Sequence, residues 1–280
     1  MLLNEKPLVA VYMITYNHEQ YIKQTIKSIL NQQTKFLFKL FIGEDASSDN
    51  TTTICKVFED EYPNKIKLFA HKKNIGASAN AIFTFNECFK SEAKYIALCE
   101  GDDYWTDPLK LQKQVDFLEA NPEYGICFHN VKIFDQANQK LIEDTITRDV
   151  EETTDISELA KGNFIHTPSV MLCNDFRLPS WFKDSPIGDW SIYMIAIGNR
   201  KIKKLDEVMA VYRVHDASIW SGLLQKVRNE KTRISIKLVV DNLELPNKAL
   251  KILKSRLGIK KKKKTFIQKI IKKLKKLSIK

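Results

Sequence analysis

An acidic cluster directly after an apolar run is the feature of this sequence with the clearest claim to chemistry. The run of residues 95–99 is followed by Glu100-Gly101-Asp102-Asp103. Adjacent carboxylates at the end of a buried strand repel each other unless a cation offsets their charge. Mg²⁺ and Mn²⁺ prefer such oxygen ligands and keep coordination positions for water or substrate phosphates. The cluster therefore indicates a divalent-metal site, with a solvated acidic turn before the next helix as the alternative.

Three other polar clusters follow apolar runs that have the length of strands. They are Thr15-Tyr16-Asn17, Glu44-Asp45-Ala46-Ser47-Ser48-Asp49-Asn50-Thr51 and Asn74-Ile75-Gly76. Taken singly, Asp45 is also typical of a turn, and Asp49 is suited to capping the next helix. Asn74 and Gly76 also occur in ordinary turns. Their common position after strands is what makes them candidate site residues.

Two further candidates lie in the second half of the chain. Asp189 opens an apolar helical segment and is either an N-cap or a general base within reach of a hydroxyl. His215 follows the apolar run 208–212 and is either structural or a contact to a diphosphate or a metal. The residues alone leave both alternatives open.

The elements that must position these residues alternate between strand-like and helical patterns. Strands are predicted at residues 8–14, 39–43, 66–70, 95–99, 124–134, 170–173 and 208–212, with a polar connection over 133–158. Helices are predicted over about 21–30, 51–61, 77–89 and 109–120, the last with Asp107 as N-cap and Pro108 at the first helical position. This order predicts an α/β fold whose mostly parallel sheet is flanked by helices. Ligands of such sheets bind beyond the carboxyl ends of the strands.

The formal net charge of +11 is concentrated at the C terminus. Residues 251–280 contain thirteen Lys, Arg256 and no acid, and the remainder of the chain has a charge of −3. Apolar residues recur at three- and four-residue steps through residues 266–277. A helix there would have one apolar stripe among cations, which suits an anionic membrane surface, with a solvated or disordered tail as the alternative. No nucleic-acid partner is expected, because no aromatic platform accompanies the charge.

Three segments are expected from the change of pattern near Lys226. They are a nucleotide-binding domain over 1–225, a helical extension over 226–259 and a basic amphipathic tail over 260–280. The five cysteines form no CxxC pair, which favours buried thiols in a reducing compartment. We find no signal peptide and no apolar run of about 18 residues, the length that spans a bilayer. We therefore expect a cytoplasmic protein that is peripheral at the inner face of the cell membrane.

Taken together and in this order, the clusters resemble the family 2 glycosyltransferases, a bacterial inverting group with a GT-A fold. The resemblance covers about residues 7–221 and includes Glu100-Gly101-Asp102-Asp103, which is similar to the family's DxD-type element. It implies a GT-A-type domain, a nucleotide-sugar donor, Mn²⁺ or Mg²⁺ as cofactor, and transfer to a hydroxyl with inversion.

The resemblance also implies roles for individual residues. Asp189 matches the catalytic base and Asp103 the principal metal ligand. His215 resembles a late element that closes over the diphosphate and the metal. The nucleotide-binding residues that it implies are Thr15, Tyr16, Asn17, Asp45, Asn74 and Asp102, with Asp45 at the base and Asp102 near the ribose or metal.

The sequence departs from the family pattern at Glu100, where an Asp is frequent, so a role of Glu100 in metal binding stays open. A Gln-x-x-Arg-Trp motif and transmembrane helices are missing, which argues against a processive synthase. We expect a UDP-sugar donor and a glycan or lipid-linked acceptor.

Two alternatives to a glycosyltransferase are considered. A nucleotidyltransferase is disfavoured because no Gly-rich, basic phosphate loop follows the first strand. A non-catalytic, membrane-peripheral nucleotide-binding protein is disfavoured by the acidic residues at 45, 102, 103 and 189.

Overall fold

A computed structural model describes residues 6–215 and 224–259 of the chain. The first half alternates strands and helices: β1 (Val9–Thr15), α1 (Ile22–Leu30), β2 (Phe38–Glu44), α2 (Thr51–Glu61), β3 (Ile66–Ala70), α3 (Ala77–Lys90) and β4 (Tyr95–Leu98). The predicted strands and helices of this half are confirmed, with ends that move by one or two residues. The predicted basic tail over 260–280 lies outside the described residues.

The second half is less regular. It contains β5 (Tyr104–Trp105), α4 (Lys110–Ala120), β6 (Tyr124–Asp135), β7 (Lys140–Glu143), β8 (Thr153–Thr154), α5 (Ile156–Leu159), β9 (Met171–Cys173), α6 (Gly188–Ile197), β10 (Lys201–Val214), α7 (Gln225–Asn242) and α8 (Asn247–Arg256). The polar connection predicted over 133–158 includes β7, β8 and part of α5. The strand predicted at 208–212 is the end of the longer β10, whose first half is too rich in Lys to show an apolar period.

The strands form one mixed sheet in the order β3-β2-β1-β4-β9-β6-β10-β5. The first four strands are parallel, as predicted. The short β9 is antiparallel to both β4 and β6, and β10 is parallel to β6. Two antiparallel steps restore the original direction, so β10 runs the same way as β4. The carboxyl ends of β1, β2, β4 and β10 therefore lie along one edge of the sheet.

Hydrophobic cores lie on both faces of the sheet, and β1 contributes to each. Ala10 and Tyr12 pack on the face covered by α3, α6, α7 and α8. Val11 and Met13 pack on the opposite face, against α1, α2 and α4. This alternation is the period of two that a strand imposes on its side chains. Because both faces are covered, nearly every residue of β1 is buried, and the strand is an apolar run.

The helical segment predicted from about residue 226 is confirmed by α7 and α8. Ile236 and Val239 of α7 and Ala249 and Leu253 of α8 are buried in the core that also contains α6. These helices thus extend one face of the sheet. Across the residues that the structure describes, no helix combines the length and the apolarity needed to cross a bilayer.

Lys110, on α4, has a fully buried side chain. Its Nζ donates to Gln114 Oε1 at 2.7 Å and lies 4.1 Å from the centre of the Trp105 ring. Burial lowers the pKa of this amine to about 7, although the neighbouring thiols Cys99 and Cys127 act in the opposite direction. The fold therefore accommodates the neutral amine better than the charged one.

We expect Lys110→Met to stabilise the protein less at pH 9 than at pH 7. Between the folded pKa of about 7 and the ordinary value of 10.5, the unfolded chain binds a proton at Lys110 that the folded chain has released. The free energy of unfolding of the wild type therefore rises with pH, by at most about 1.4 kcal/mol per pH unit for one group. Urea unfolding of both proteins at the two pH values measures this difference.

Lys113→Met is the matched control, because Lys113 lies on the same helix and is paired with Asp107 at the surface. Its pKa is raised, mainly by the hydrogen bond to Asp107, so it stays charged over this pH range. A Lys110→Met effect that does not change between pH 7 and pH 9 would show that Lys110 has an ordinary pKa.

Candidate active site

The carboxyl end of β10 is bonded to the acidic turn that follows β4. The backbone N–H of Arg213 donates to Asp103 Oδ1 at 2.8 Å, and its Nε donates to the carbonyl oxygen of Asp102 at 2.8 Å. The same guanidinium donates to Gln24 and Gln136. Arg213 is buried, so the three bonds of its guanidinium partner a desolvated cation. The two bonds to Asp102 and Asp103 fix the turn against β10.

Beside this junction, Asp102 lies between two imidazoles. Its Oδ2 is 2.9 Å from His215 Nε2 and 3.8 Å from His18 Nε2. Ligand atoms of these three residues lie within 4.8 Å of one another, and they are the group among residues 6–215 and 224–259 whose geometry suits a metal ion. Asp102 Oδ1 is buried without a hydrogen-bond partner. An orphaned carboxylate oxygen next to imidazole nitrogens is a donor set that fits a divalent cation.

Asp103, the principal metal ligand implied by the family resemblance, is not a member of this group. It is 1% exposed, and its Oδ1 is already bonded to the backbone of β10. Its Oδ2 is buried without a hydrogen-bond partner. The geometry favours Asp102 and His215 over Asp103, whose role as a metal ligand stays a prediction.

The three carboxyl groups of the acidic turn compete for ionisation. Burial, together with the charges of Asp102 and Asp189, raises the pKa of Glu100 to about 8. Burial and Asp102 also raise the pKa of Asp103 well above its ordinary value. Burial acts in the same direction on Asp102, but the hydrogen bond from His215 and the nearby His18 outweigh it and lower its pKa. Asp102 is therefore the carboxylate of this turn that is held in its charged form.

The loops after β1, β2 and β3 are bonded to one another at the same edge of the sheet. Asn17 accepts from the backbone N–H of Ser48 at 2.9 Å, which joins the first loop to the second. Asp45 accepts from the backbone N–H groups of Ile75 at 2.7 Å and Gly76 at 3.0 Å, which joins the second loop to the third. Gly76 has a φ of 88°, a conformation that suits glycine.

These bonds show what the predicted nucleotide-binding residues do within the fold. Both carboxylate oxygens of Asp45 hold the loop that contains Asn74, and Asn74 accepts from the backbone N–H of Gly76. Thr15 is buried, and its hydroxyl lies 3.2 Å from His18 Nδ1. Tyr16 is 44% exposed, which leaves its ring accessible to a ligand. The structure thus brings the predicted residues together, and their ligand-binding roles stay predictions.

Asp189 lies in the first turn of α6 and faces the acidic turn. The N-cap of α6 is Ile187, so the alternative of an N-cap at Asp189 is not observed. Its Oδ2 accepts from Asn163 Nδ2 at 2.8 Å. Burial raises the pKa of Asp189, while the N–H of Trp190, the nearby His166 and the amide of Asn163 lower it. The charge of Asp189 also raises the pKa of Glu100, so the two carboxyl groups interact electrostatically.

Sequence reasoning gave no site role to three residues, His18, Gly101 and Asn163. It identified Arg213 as a polar residue at a strand end and a candidate contact to a diphosphate or a metal, but did not predict its bonds to the acidic turn. A Cβ on Gly101 would lie 2.5 Å from Thr15 Oγ1 and 2.9 Å from His18 Nδ1, so glycine lets the acidic turn approach β1 closely. A glycine inside the acidic motif is the signal in the sequence that another segment packs closely against the backbone at this position.

Comparisons with known proteins bear on the family and the fold of this chain. The sequence pattern of the family described as "Glycosyl transferase family 2" matches residues 10–177, more than half of the chain. The uncharacterized protein Rv1520 of Mycobacterium tuberculosis is 35% identical over 219 residues, which cover 76% of this chain and 60% of that protein. The chain therefore spans less than two thirds of the length of this relative.

Two solved structures share the fold. TarS of S. aureus, residues 1–349 in complex with UDP-GlcNAc, superposes with a TM-score of 0.65 at 18% identity, over 89% of this chain and 70% of that chain. The mannosyltransferase PcManGT from Pyrobaculum calidifontis, in complex with GDP-Man and Mn²⁺, has a TM-score of 0.56 at 13% identity, over 91% and 70% of the two chains. Both confirm a GT-A-like fold.

We expect Asn163→Leu to raise the pKa of Asp189 further, because the substitution removes an amide that stabilises the carboxylate. Carbon-13 NMR titration of the aspartate carboxyl groups measures the change. Asn138→Leu is the matched control, since the Asn138 amide donates in the same way to the exposed Asp135. It should raise the pKa of Asp135 and leave Asp189 unchanged. An unaltered Asp189 in Asn163→Leu would contradict the assigned contact.

Proposed function

We propose that this chain, which belongs to glycosyltransferase family 2, transfers a sugar from a nucleotide-sugar to a hydroxyl of a glycan or lipid-linked acceptor with inversion. The observation that carries the proposal is that Asp102, Asp189 and the three polar loops meet at one edge of the sheet. Family membership supports the reaction class. Because TarS was solved with UDP-GlcNAc and the mannosyltransferase with GDP-Man, a UDP-sugar is the donor we favour and a GDP-sugar is the first alternative.

The proposed metal ligands are Asp102 and His215, whose Oδ2 and Nε2 lie 2.9 Å apart. The orphaned Oδ1 of Asp102 and the Mn²⁺ in the mannosyltransferase complex support a divalent cation, Mn²⁺ or Mg²⁺. When bound, the cation supplies Lewis-acid stabilisation of the charge on the leaving nucleoside diphosphate. Arg213 keeps the turn in place through its bond to the carbonyl of Asp102.

The donor's nucleotide is proposed to lie over the loops after β1, β2 and β3. Tyr16 offers an exposed ring for the base. The other proposed nucleotide-binding residues of these loops are Thr15, Asn17, Asp45 and Asn74. Two of these residues, Asp45 and Asn17, act through the loops that they hold together. Because hydrogen bonds from backbone N–H groups to the Asn17 and Asp45 side chains join these loops, the nucleotide would meet a preformed surface.

Asp189 is proposed as the general base. The amide of Asn163 holds its Oδ2, so Oδ1 is the oxygen assigned to accept the proton of the acceptor hydroxyl. The oxygen that loses this proton attacks the anomeric carbon from the face opposite the diphosphate. Attack from that face inverts the anomeric centre without a covalent sugar-enzyme intermediate. The partly buried setting of Asp189 raises its pKa and so makes the carboxylate a better proton acceptor.

The acceptor is proposed to lie at an anionic membrane surface at the inner face of the cell membrane. The exposed side of α8 presents Lys248, Lys251 and Lys254, and no acidic residue follows in the chain. The amphipathic pattern of residues 260–280 continues this positive charge. Such a surface would hold the catalytic edge near lipid-linked acceptors.

Asp102→Asn should weaken nucleotide binding in Mn²⁺ by at least about a hundredfold, since loss of a residue that only supports a ligand already costs 10–100-fold in metal affinity. Calorimetry with UDP, GDP and other nucleoside diphosphates, in Mn²⁺ or in chelator, measures the effect. Asp103→Asn is the comparison and should retain more metal-dependent binding. If Asp103→Asn loses the metal and Asp102→Asn keeps it, the assignment of the ligand is wrong.

Asp189→Asn should bind the donor normally and lose turnover by about 10²–10⁴-fold, the usual contribution of a positioned general base. Release of nucleoside diphosphate from the donor measures turnover, and calorimetry measures binding. Asp175→Asn is the control, because Asp175 forms an exposed ion pair with Arg200. Near-normal turnover in Asp189→Asn would remove Asp189 from the proposed role.

Deletion of residues 260–280 should abolish salt-sensitive sedimentation with phosphatidylglycerol vesicles, because the deletion removes the eleven lysines of the tail. Phosphatidylcholine vesicles are the control and should bind neither protein. Unchanged sedimentation after the deletion would defeat the proposed role of the tail.

A further inference from the structure

His18 places a second imidazole beside Asp102. Its Nε2 lies 3.8 Å from Asp102 Oδ2, and its ring meets the His215 ring edge-on with centres 6.2 Å apart. One ligand atom from each of His18, Asp102 and His215 falls within 4.8 Å of the other two. A single cation could therefore contact all three side chains.

The surrounding bonds fix the direction of the His18 imidazole. Its Nδ1 lies 3.2 Å from Thr15 Oγ1, and its backbone N–H donates to Thr51 Oγ1 at 2.8 Å. Its carbonyl oxygen accepts from the N–H groups at the start of α1. With Nδ1 bonded to an oxygen, Nε2 is the nitrogen that faces Asp102. A histidine that binds a metal through one ring nitrogen usually uses the other in this way.

The absence of a side chain at Gly101 leaves space for the His18 imidazole. A Cβ at position 101 would lie 2.9 Å from His18 Nδ1, closer than real Cβ contacts allow. The acidic turn and the imidazole are therefore packed against each other, and the side chain of His18 is 17% exposed.

We infer that His18 is a third protein ligand of the cation, giving a site of two imidazoles and one carboxylate. The inference rests on the proposed function, in which Asp102 and His215 hold the metal. Imidazole nitrogen suits transition metals, whereas Mg²⁺ prefers oxygen ligands and dehydrates reluctantly. The site therefore selects Mn²⁺ or a related transition-metal ion over Mg²⁺, and Asp102 alone does not set this choice.

The experiment is pulsed electron paramagnetic resonance of Mn²⁺ bound to the full chain with UDP, with ¹⁵N incorporated only in histidine. The wild type should show coupling to two histidine nitrogens. His18→Gln should show one, and its preference for Mn²⁺ over Mg²⁺ in competition should fall by about tenfold, the lower end of what one supporting residue contributes to metal affinity. The wild-type count decides the question even if His18→Gln folds poorly.

His71→Gln is the matched control, because His71 follows β3 and is separated from β4 by β2 and β1. It should keep both couplings and the wild-type preference. One histidine nitrogen in the wild type, with Mn²⁺ bound, would overturn the role of His18 and leave the proposed function standing. Failure of Mn²⁺ to bind with any nucleotide would overturn the proposed metal dependence together with this inference.

Discussion

The bond between the end of β10 and the acidic turn after β4 is the interaction on which the rest of the site depends. Glu100, Asp102 and Asp103 follow one buried strand, and three carboxyl groups so close together favour protonation of some of them. Arg213 and His215 lie more than a hundred residues further along the chain, and they bond to the backbone and carboxylates of this turn. The result is one charged carboxylate, at Asp102, in a fixed position beside imidazole.

The sheet topology makes this contact possible. The loops that follow the first four strands lie at one edge because these strands are parallel. The short β9 is antiparallel to both of its neighbours, so β6 and β10 run in the same direction as β4 and β10 ends at the same edge. The loops after β1, β2 and β3, the acidic turn and the end of β10 thus converge at one edge of the sheet. Asp189, on α6, is held by Asn163 and interacts electrostatically with Glu100 of the turn.

The sequence predicted what depends on local pattern and missed what depends on tertiary contact. Buried parallel strands are short apolar runs, so β1 to β4 and the loops after them were predictable from residues 8–103. Asn163 lies in an irregular loop with no period, and its contact with Asp189 exists only after the chain has folded. Arg213 was visible as a polar residue at a strand end, but its bond to Asp103 spans 110 positions. His18 resembled an ordinary polar residue before a helix.

A crystal structure with Mn²⁺ and UDP, with the anomalous signal of manganese recorded, tests the central claim most directly. The account predicts a manganese peak bonded to Asp102 and His215, with Asp103 still bound to the backbone of Arg213. A peak bonded to Asp103, with the contact between Asp102 and His215 intact, would contradict it. In that case, the junction with β10 would be a structural clamp and the metal would be held from the other side of the turn.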